Sequence, residues 1–313
     1  MSGDESKPEE ALRAVLERQG VTGASVEPAV PAVVSPVHRG VAHHCWRVEV
    51  PGGDRLFCKL PAADQAQLLA DADAARMARL AGDAGIAPAV AWFDEDSSIL
   101  ATAWLGEGWR YAKVEDLRQP ETLSAVIGLL TRFHGQPVAG LPTHDAAARL
   151  QQQDRLLRAL PIDRPPNYDW LLDQVTLTLA ALAPATQVPC HLGAIASNVM
   201  LGPEGAVLLV DFDQAGLSEP LHDLGILLTE TFDFEDEWLA ALQPLYGEAT
   251  PQAVNRARLW GLVDDLTWGQ WALICHARGQ RPEIEYFKYA SWRFLRATQT
   301  AGAWEFERRL RQL

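Results

Sequence analysis

Over the first third of the chain, apolar residues come in short runs bounded by Pro, Gly and Asp; over the rest they recur mainly at three- and four-residue spacing. The short runs read as strands and the longer spacing as amphipathic helices. Residues 1–10 lack an apolar pattern and are expected to be disordered, and a short helix follows from Glu9 or Glu10 to Arg18 with Leu12, Val15 and Leu16 on one face. Strands are predicted at Val33-Val34, Cys45 to Val50 and Arg55 to Leu60, the last two joined by a Pro51-Gly52-Gly53-Asp54 turn. A helix over Gln65 to Ala84 comes next, with Leu68, Leu69, Ala72, Ala75, Met77 and Leu80 along its apolar side. Gly85 to Pro88 ends it, and strands are expected at Val90 to Phe93 and Ser98 to Gly106. From Glu107 onward helices dominate: Leu123 to His134, Ala146 to Leu160, Trp170 to Leu182, Gln252 to Ala277 and Glu283 to about Arg309. Two short apolar strands, Val199 to Leu201 and Val207 to Val210, interrupt them around a Gly202-Pro203-Glu204-Gly205 turn.

A length of 313 residues suggests two domains or one two-lobed unit. The formal charge of −14 argues against nucleic acid or an anionic membrane as partner and suits a neutral or cationic small molecule. Cys45, Cys58, Cys190 and Cys275 are scattered without metal-type spacing and read as reduced, buried thiols. The acidic amino terminus has no apolar core of a signal peptide, and no apolar run reaches membrane-spanning length, so a cytoplasmic location is expected.

The hairpin carries the chemistry. Asn198 precedes its first strand and Asp211-Phe212-Asp213 follows its second, which brings Asn198 and Asp211 to the same end. Two oxygen-bearing side chains at one strand terminus can hold a hard cation, and Mg²⁺ bound by few protein ligands takes substrate phosphates as the rest. The residues alone also fit an ordinary hairpin with polar ends. Lys59, on the Arg55 to Leu60 strand, reads by itself as a solvated strand lysine. His43-His44-Cys45 superficially suggests a metal site, but adjacent strand residues point to opposite faces, so packing is the expected role. The acids Glu230, Asp233, Glu235, Asp236 and Glu237 read as a solvated face that would attract cations to a neighbouring cleft. Asp264, Trp268 and Trp271 share one helix face and read as core or as an aromatic and carboxylate site for an ammonium.

The stretch from His191 to Gly225 resembles the catalytic hairpin of the aminoglycoside phosphotransferase and choline kinase family, relatives of the protein kinases. That pattern is His-x-Asp-x-x-x-x-Asn, a hairpin, then Asp with an aromatic after it. His191, Asn198 and Asp211-Phe212-Asp213 fall on it, and Ala215-Gly216 through His222-Asp223-Leu224-Gly225 resembles its continuation. One position departs: the catalytic Asp should stand two residues after the His, and this chain has Gly193. An Asp there would orient the attacking hydroxyl and accept its proton, which glycine cannot do.

The resemblance implies an α+β, two-lobed kinase-like fold: a tail over 1–10, a β-rich nucleotide-binding lobe over 11–104 and a mainly helical lobe over 105–313 containing the hairpin 191–213. It further implies ATP and Mg²⁺, with Lys59 on the phosphates and Asn198 and Asp211 on the metal. Arg39 and Gly40 lie in the phosphate-covering turn, which has a single glycine. Asp73 is expected to pair with Lys59, with Asp71 as competitor, and the backbone at Ala103 and Leu105 to meet adenine. The function so implied is phosphoryl transfer to a hydroxyl of a small molecule, a cationic one included, with impaired or atypical catalysis. The alternative is a nucleotide- or ligand-binding pseudokinase that acts as a partner or sensor protein. A third reading keeps the fold for peptide or natural-product modification.

Overall fold

The computed structural model describes residues 6–30, 40–65, 68, 71–183, 186–246 and 250–313. A first helix, α1 (Ser6–Arg18), begins earlier than the apolar pattern requires, because Glu9 in its first turn suits the helix dipole and Arg13 pairs with it. Five antiparallel strands follow: β1 (Ser25–Pro28), β2 (His43–Glu49), β3 (Arg55–Pro61), β4 (Val90–Asp94) and β5 (Ile99–Ala103), in the order β1-β2-β3-β5-β4. The β1 strand has only four residues and ends in Pro, too weak a pattern to read from sequence. The expected Val33-Val34 strand lies outside the described residues.

Alternation in β3 divides the labour. Cys58 is buried on the face that packs with Trp46, Val48, Ile99 and Ala101 against Leu12, Val15 and Leu16 of α1. Phe57 and Lys59 therefore point the other way, into a cleft. Of the helix expected over Gln65 to Ala84, α2 runs Asp71–Asp83 and Ala63–Gln65 forms a separate 3₁₀ turn, while residues 66, 67, 69 and 70 lie outside the described residues.

The second lobe comprises β6 (Arg110–Tyr111), α3 (Val114–Leu117), α4 (Pro120–His134), α5 (Ala146–Arg158), α6 (Tyr168–Leu182), β7 (Val188–Cys190), β8 (Val199–Leu201), β9 (Val207–Leu209) and β10 (Gly216–Ser218), then α7 (Pro220–Thr231), α8 (Glu235–Tyr246), α9 (Pro251–Arg278), α10 (Tyr286–Ala301) and α11 (Phe306–Arg311). The region read as an acidic surface thus holds two helices, and α7 is buried from His222 to Leu228. The single terminal helix expected from Glu283 is two, parted at Gly302, where a helix interior would lose stability to glycine. The central α9 has Thr250 as N-cap, accepting from the Ala253 amide at 3.1 Å, and Gly279 in the left-handed conformation as its stop. Between them apolar residues occur all round, so α9 is wrapped by α5, α6, α7 and α10. Among the described residues no helix is long and apolar enough to cross a membrane.

The turn at Ala63–Gln65 fastens one lobe to the other. Arg281, beyond α9, grips the Asp64 carboxylate at 2.7 and 2.9 Å, and the Trp271 indole donates to the Gln65 side-chain oxygen at 2.9 Å.

Helices α7 and α9 meet through glycine. A Cβ at Gly225 would overlap the Ala257 carbonyl oxygen and stand 3.0 Å from the Trp260 Cβ. Gly225→Ala is therefore expected to lower stability by about 1–3 kcal/mol, read as a fall in thermal midpoint of about 2–4 °C per kcal/mol. An unchanged midpoint would show that the helices can separate without cost.

Candidate active site

Between the lobes lies a cleft of about 320 Å³, within the range of small-molecule sites. Its lining from the small sheet includes Phe57, Lys59, Leu100, Thr102 and Ala103, and its lining from the helical lobe includes Gln214, Ile226, Trp268, Trp271 and Arg293. Gly193, Asn198, Asp211 and Asp213 of the hairpin region line it as well.

The hairpin produces that centre. Strands β8 and β9 pair Val199 with Leu209, and the Val210 amide donates to the Asn198 carbonyl at 2.9 Å, so the register holds Asn198 and Asp211 at one end. Asp211 adopts φ 68°, a left-handed conformation that Asp tolerates better than bulkier residues and that is typical of functional turns. The Asn198 carboxamide nitrogen donates to the Gly193 carbonyl at 2.9 Å, leaving its oxygen as a ligand atom. With the Asp211 carboxylate, 43% exposed, this makes a hard-oxygen donor set of the kind Mg²⁺ takes.

Lys59 arrives from the other lobe. Its ammonium donates to Asp211 Oδ1 at 3.0 Å and to Asp213 Oδ1. Burial disfavours the charged lysine, yet the two carboxylates outweigh it and hold its pKa up. One ammonium is shared by two carboxylates, of which Asp213 is the more enclosed. Burial and the charge of Asp211 push Asp213 well above the usual carboxylate range, while Lys59 and a hydrogen bond from Asp213 overcome burial and hold Asp211 low. His43 Nδ1 lies 3.3 Å from Asp213 Oδ2, and burial, reinforced by Lys59, drives the imidazole down to about 3, so it is neutral.

Behind the centre, Asp223 braces the loop. Its carboxylate accepts from the His191 and Leu192 amides at 3.0 and 2.6 Å and meets His134 Nε2 at 2.9 Å. His134, Cys190 and Asp223 place ligand atoms within 4.8 Å of one another, but those hydrogen bonds already occupy the carboxylate and burial pushes the Cys190 thiol well up. His191 Nε2 donates to the Val210 carbonyl at 3.0 Å, which makes Nδ1 an acceptor, and Nδ1 is buried without a partner. That atom lies 3.4 Å from where a Cβ at Gly193 would sit.

Lys59, Asn198, Asp211 and Gly193 are thus brought together, and Gly40, Ala103 and Leu105 line the cleft with them. Arg39 lies outside the described residues. The Ala103 amide is engaged with the Ala89 carbonyl at 2.8 Å, so it is not free for a base. Asp73 does not reach Lys59: it is half-exposed on α2, 3.8 Å from Arg76, because Asp211 and Asp213 already surround the ammonium. Asp264 is paired with Arg293 at 3.0 Å, and Trp271 is 2% exposed. The role of Asp213 was visible only as the second acid of Asp-Phe-Asp; His43, read as packing, had no further signal.

The phosphotransferase enzyme family (APH) matches residues 33–260 of the chain. No curated protein matches it by sequence. Among solved structures, a choline/ethanolamine kinase family protein from Mesorhizobium loti is 23% identical with a TM-score of 0.77, covering 97% of this chain and 98% of its own. A choline kinase from Streptococcus pneumoniae is 15% identical with a TM-score of 0.74, over 94% of this chain and 99% of its own. A spectinomycin phosphotransferase, solved with ADP and spectinomycin, is 14% identical with a TM-score of 0.64, over 97% and 98%. At such identities the likeness concerns the fold, and that fold is the two-lobed, protein-kinase-like α+β architecture described above. With the family match running from the small sheet through the hairpin and into α9, the chain belongs to the phosphotransferase enzyme family.

Proposed function

We propose that the protein transfers the γ-phosphoryl group of ATP, with Mg²⁺, to a hydroxyl of a small molecule, and that its chemistry is slowed by the absence of a carboxylate at Gly193. The observation that carries this reading is the convergence of Lys59 from one lobe with Asn198 and Asp211 from the other in one cleft. The sheet end, walled by Phe57, Leu100 and Leu105, suits adenine, and solved relatives bound to AMP and to ADP support a nucleotide there. Lys59 would hold phosphate oxygens, and Asn198 and Asp211 would hold the metal. A Mg²⁺ ion held by Asn198 and Asp211 would supply positive charge against the charge that develops on the phosphoryl group. Asp213, with His43 beside it, would hold the Lys59 ammonium in the cleft within reach of phosphate oxygens.

Positioning and charge neutralisation supply most of the acceleration of phosphoryl transfer, while a general base typically adds about 10²–10⁴-fold. A chain with the former and without the latter is therefore a slow kinase. The second reading, a nucleotide- or ligand-binding pseudokinase that serves as a partner or sensor protein, is favoured by Gly193 and by the single glycine of the phosphate-covering turn.

A thermal-shift titration with ATP tests the nucleotide site, since a ligand that binds only the native state raises the midpoint by mass action. A Mg²⁺-dependent rise is expected for the wild type and should disappear in Asp211→Ala; no rise at millimolar ATP would overturn the proposal. Restoring the base tests the chemistry. The site has room, because a Cβ at Gly193 meets only ordinary contacts of 3.4 and 3.5 Å to His191 and Asn198. Gly193→Asp is expected to raise nucleotide turnover by about 10²–10⁴-fold, whereas unchanged turnover alongside intact ATP binding would favour the pseudokinase.

A further inference from the structure

One segment of the small lobe is held by the other lobe. Gly40, Val41 and Ala42 lead into β2 and line the same cleft as Lys59. Yet Val41, 1% exposed, belongs to the core cluster that contains Trp271, Tyr286 and Tyr289 of the helical lobe. Its carbonyl accepts from Arg281 Nη2 at 2.5 Å. The same guanidinium takes both oxygens of the buried Asp64, at 2.7 and 2.9 Å, and donates to the Tyr286 hydroxyl at 2.8 Å. Paired guanidinium and carboxylate of this two-bonded kind are strong and fix direction as well as distance. Arg281 therefore joins three places: the entry to β2, the turn beyond β3 and the start of α10.

The direction of β3 decides which part of the cleft this clamp bears on. Along the strand Phe57 comes first, Lys59 follows two residues later, and Asp64 lies past the strand end at Pro61. The register sets Pro61 opposite His43, and the Ala62 amide donates to the Ala42 carbonyl at 2.9 Å, so the clamped ends of β2 and β3 lie together beyond Lys59. Phe57, paired with Thr102, is about 7 Å farther from the clamp along the strand. Lys59 and the backbone of residues 40–42 come from the small lobe, and Asn198 and Asp211 from the helical one. A site divided in this way needs its halves held to about 0.5 Å by groups that are themselves fixed.

We propose that Arg281 is a positioning residue for the nucleotide phosphates. By fastening Val41 and Asp64 to the helical lobe, it sets where Lys59 and the backbone of residues 40–42 stand relative to Asn198 and Asp211. It touches no ligand itself. The inference rests on the nucleotide reading given above, and it separates two parts of that ligand: the phosphates depend on the clamp, whereas the base beside Phe57 and Thr102 does not.

The test compares ATP with adenosine, in Mg²⁺, by calorimetry on the full chain. Arg281→Gln should weaken ATP about 10–100-fold, the span of a charge-assisted hydrogen bond lost, and change adenosine by less than about twofold, the scatter of independent sites. A merely structural role would move both ligands together, because loss of folded protein does not distinguish them. Arg281→Gln leaves a buried carboxylate without its cation, so the double variant Asp64→Asn/Arg281→Gln is measured beside it and should show the same ATP-specific loss. Arg281→Lys keeps the charge but not the planar fork and should fall between wild type and Arg281→Gln. Unchanged ATP affinity, or equal loss of ATP and adenosine affinity, would overturn the proposal and leave the phosphotransferase reading in place; this is read in the glutamine variants, or in Arg281→Lys where it alone folds. A wild type that binds ATP but no adenosine at millimolar concentration would overturn it too, by removing the base end that the clamp is said to spare. A wild type that binds no ATP would remove the phosphotransferase reading as well.

Discussion

The arrangement depends on one buried ammonium held by two carboxylates. Lys59 comes from a strand of the small sheet, and Asp211 and Asp213 from the segment after the β8–β9 hairpin, so their contact crosses the cleft. In a site screened from water, such an interaction is strong and its charge count matters. A second carboxyl beside the first raises the pKa of Asp213 and leaves a trio that is close to neutral before any ligand enters. The left-handed backbone at Asp211 is part of the same constraint: the local chain accepts an uncommon conformation, and the hairpin register together with the ion pair holds it there.

A second set of contacts keeps the two halves of that trio in register. Asp64 and Gln65, a few residues beyond Lys59, are bound to Arg281 and Trp271 of the helical lobe. Trp271 also stacks edge-on with Trp268, ring centroids 5.0 Å apart, so the Trp268 wall of the cleft and the strand bearing Lys59 share one anchor. On the opposite side, Asp223 ties the His191 and Leu192 amides to α7, and Gly225 on the same helix allows α7 to lie close against α9. The centre is therefore supported from regular elements and not from loops alone, which is the condition for fixed geometry in a site.

Against that support the substitution at position 193 stands out as local. The glycine lies in ordinary space, with the unpartnered Nδ1 of His191 beside it, and the surrounding hydrogen bonds of Asn198, Asp223 and Val210 are intact.

Much of this was legible in the sequence. The order of short strands followed by helices came from hydrophobic spacing, the pairing of Asn198 with Asp211 from one hairpin whose residue types and spacing are local properties, and the two-lobed fold and the role of Lys59 from the family resemblance. Period two in β3 alone fixed that Lys59 and Cys58 would face opposite sides. What spacing cannot carry is the identity of partners distant in the chain. Asp73 looked like the counter-ion of Lys59 because it sat on the expected helix, yet Asp213, 154 residues away, holds that place. Asp264, Trp268 and Trp271 do share a helix face, but spacing could not show that Arg149 and Arg293 reach Trp268 and Asp264 from two other helices. A sequence specifies which groups a local element can present; only packing decides which charges meet, because the energy of a buried charge is set by neighbours the chain brings from elsewhere.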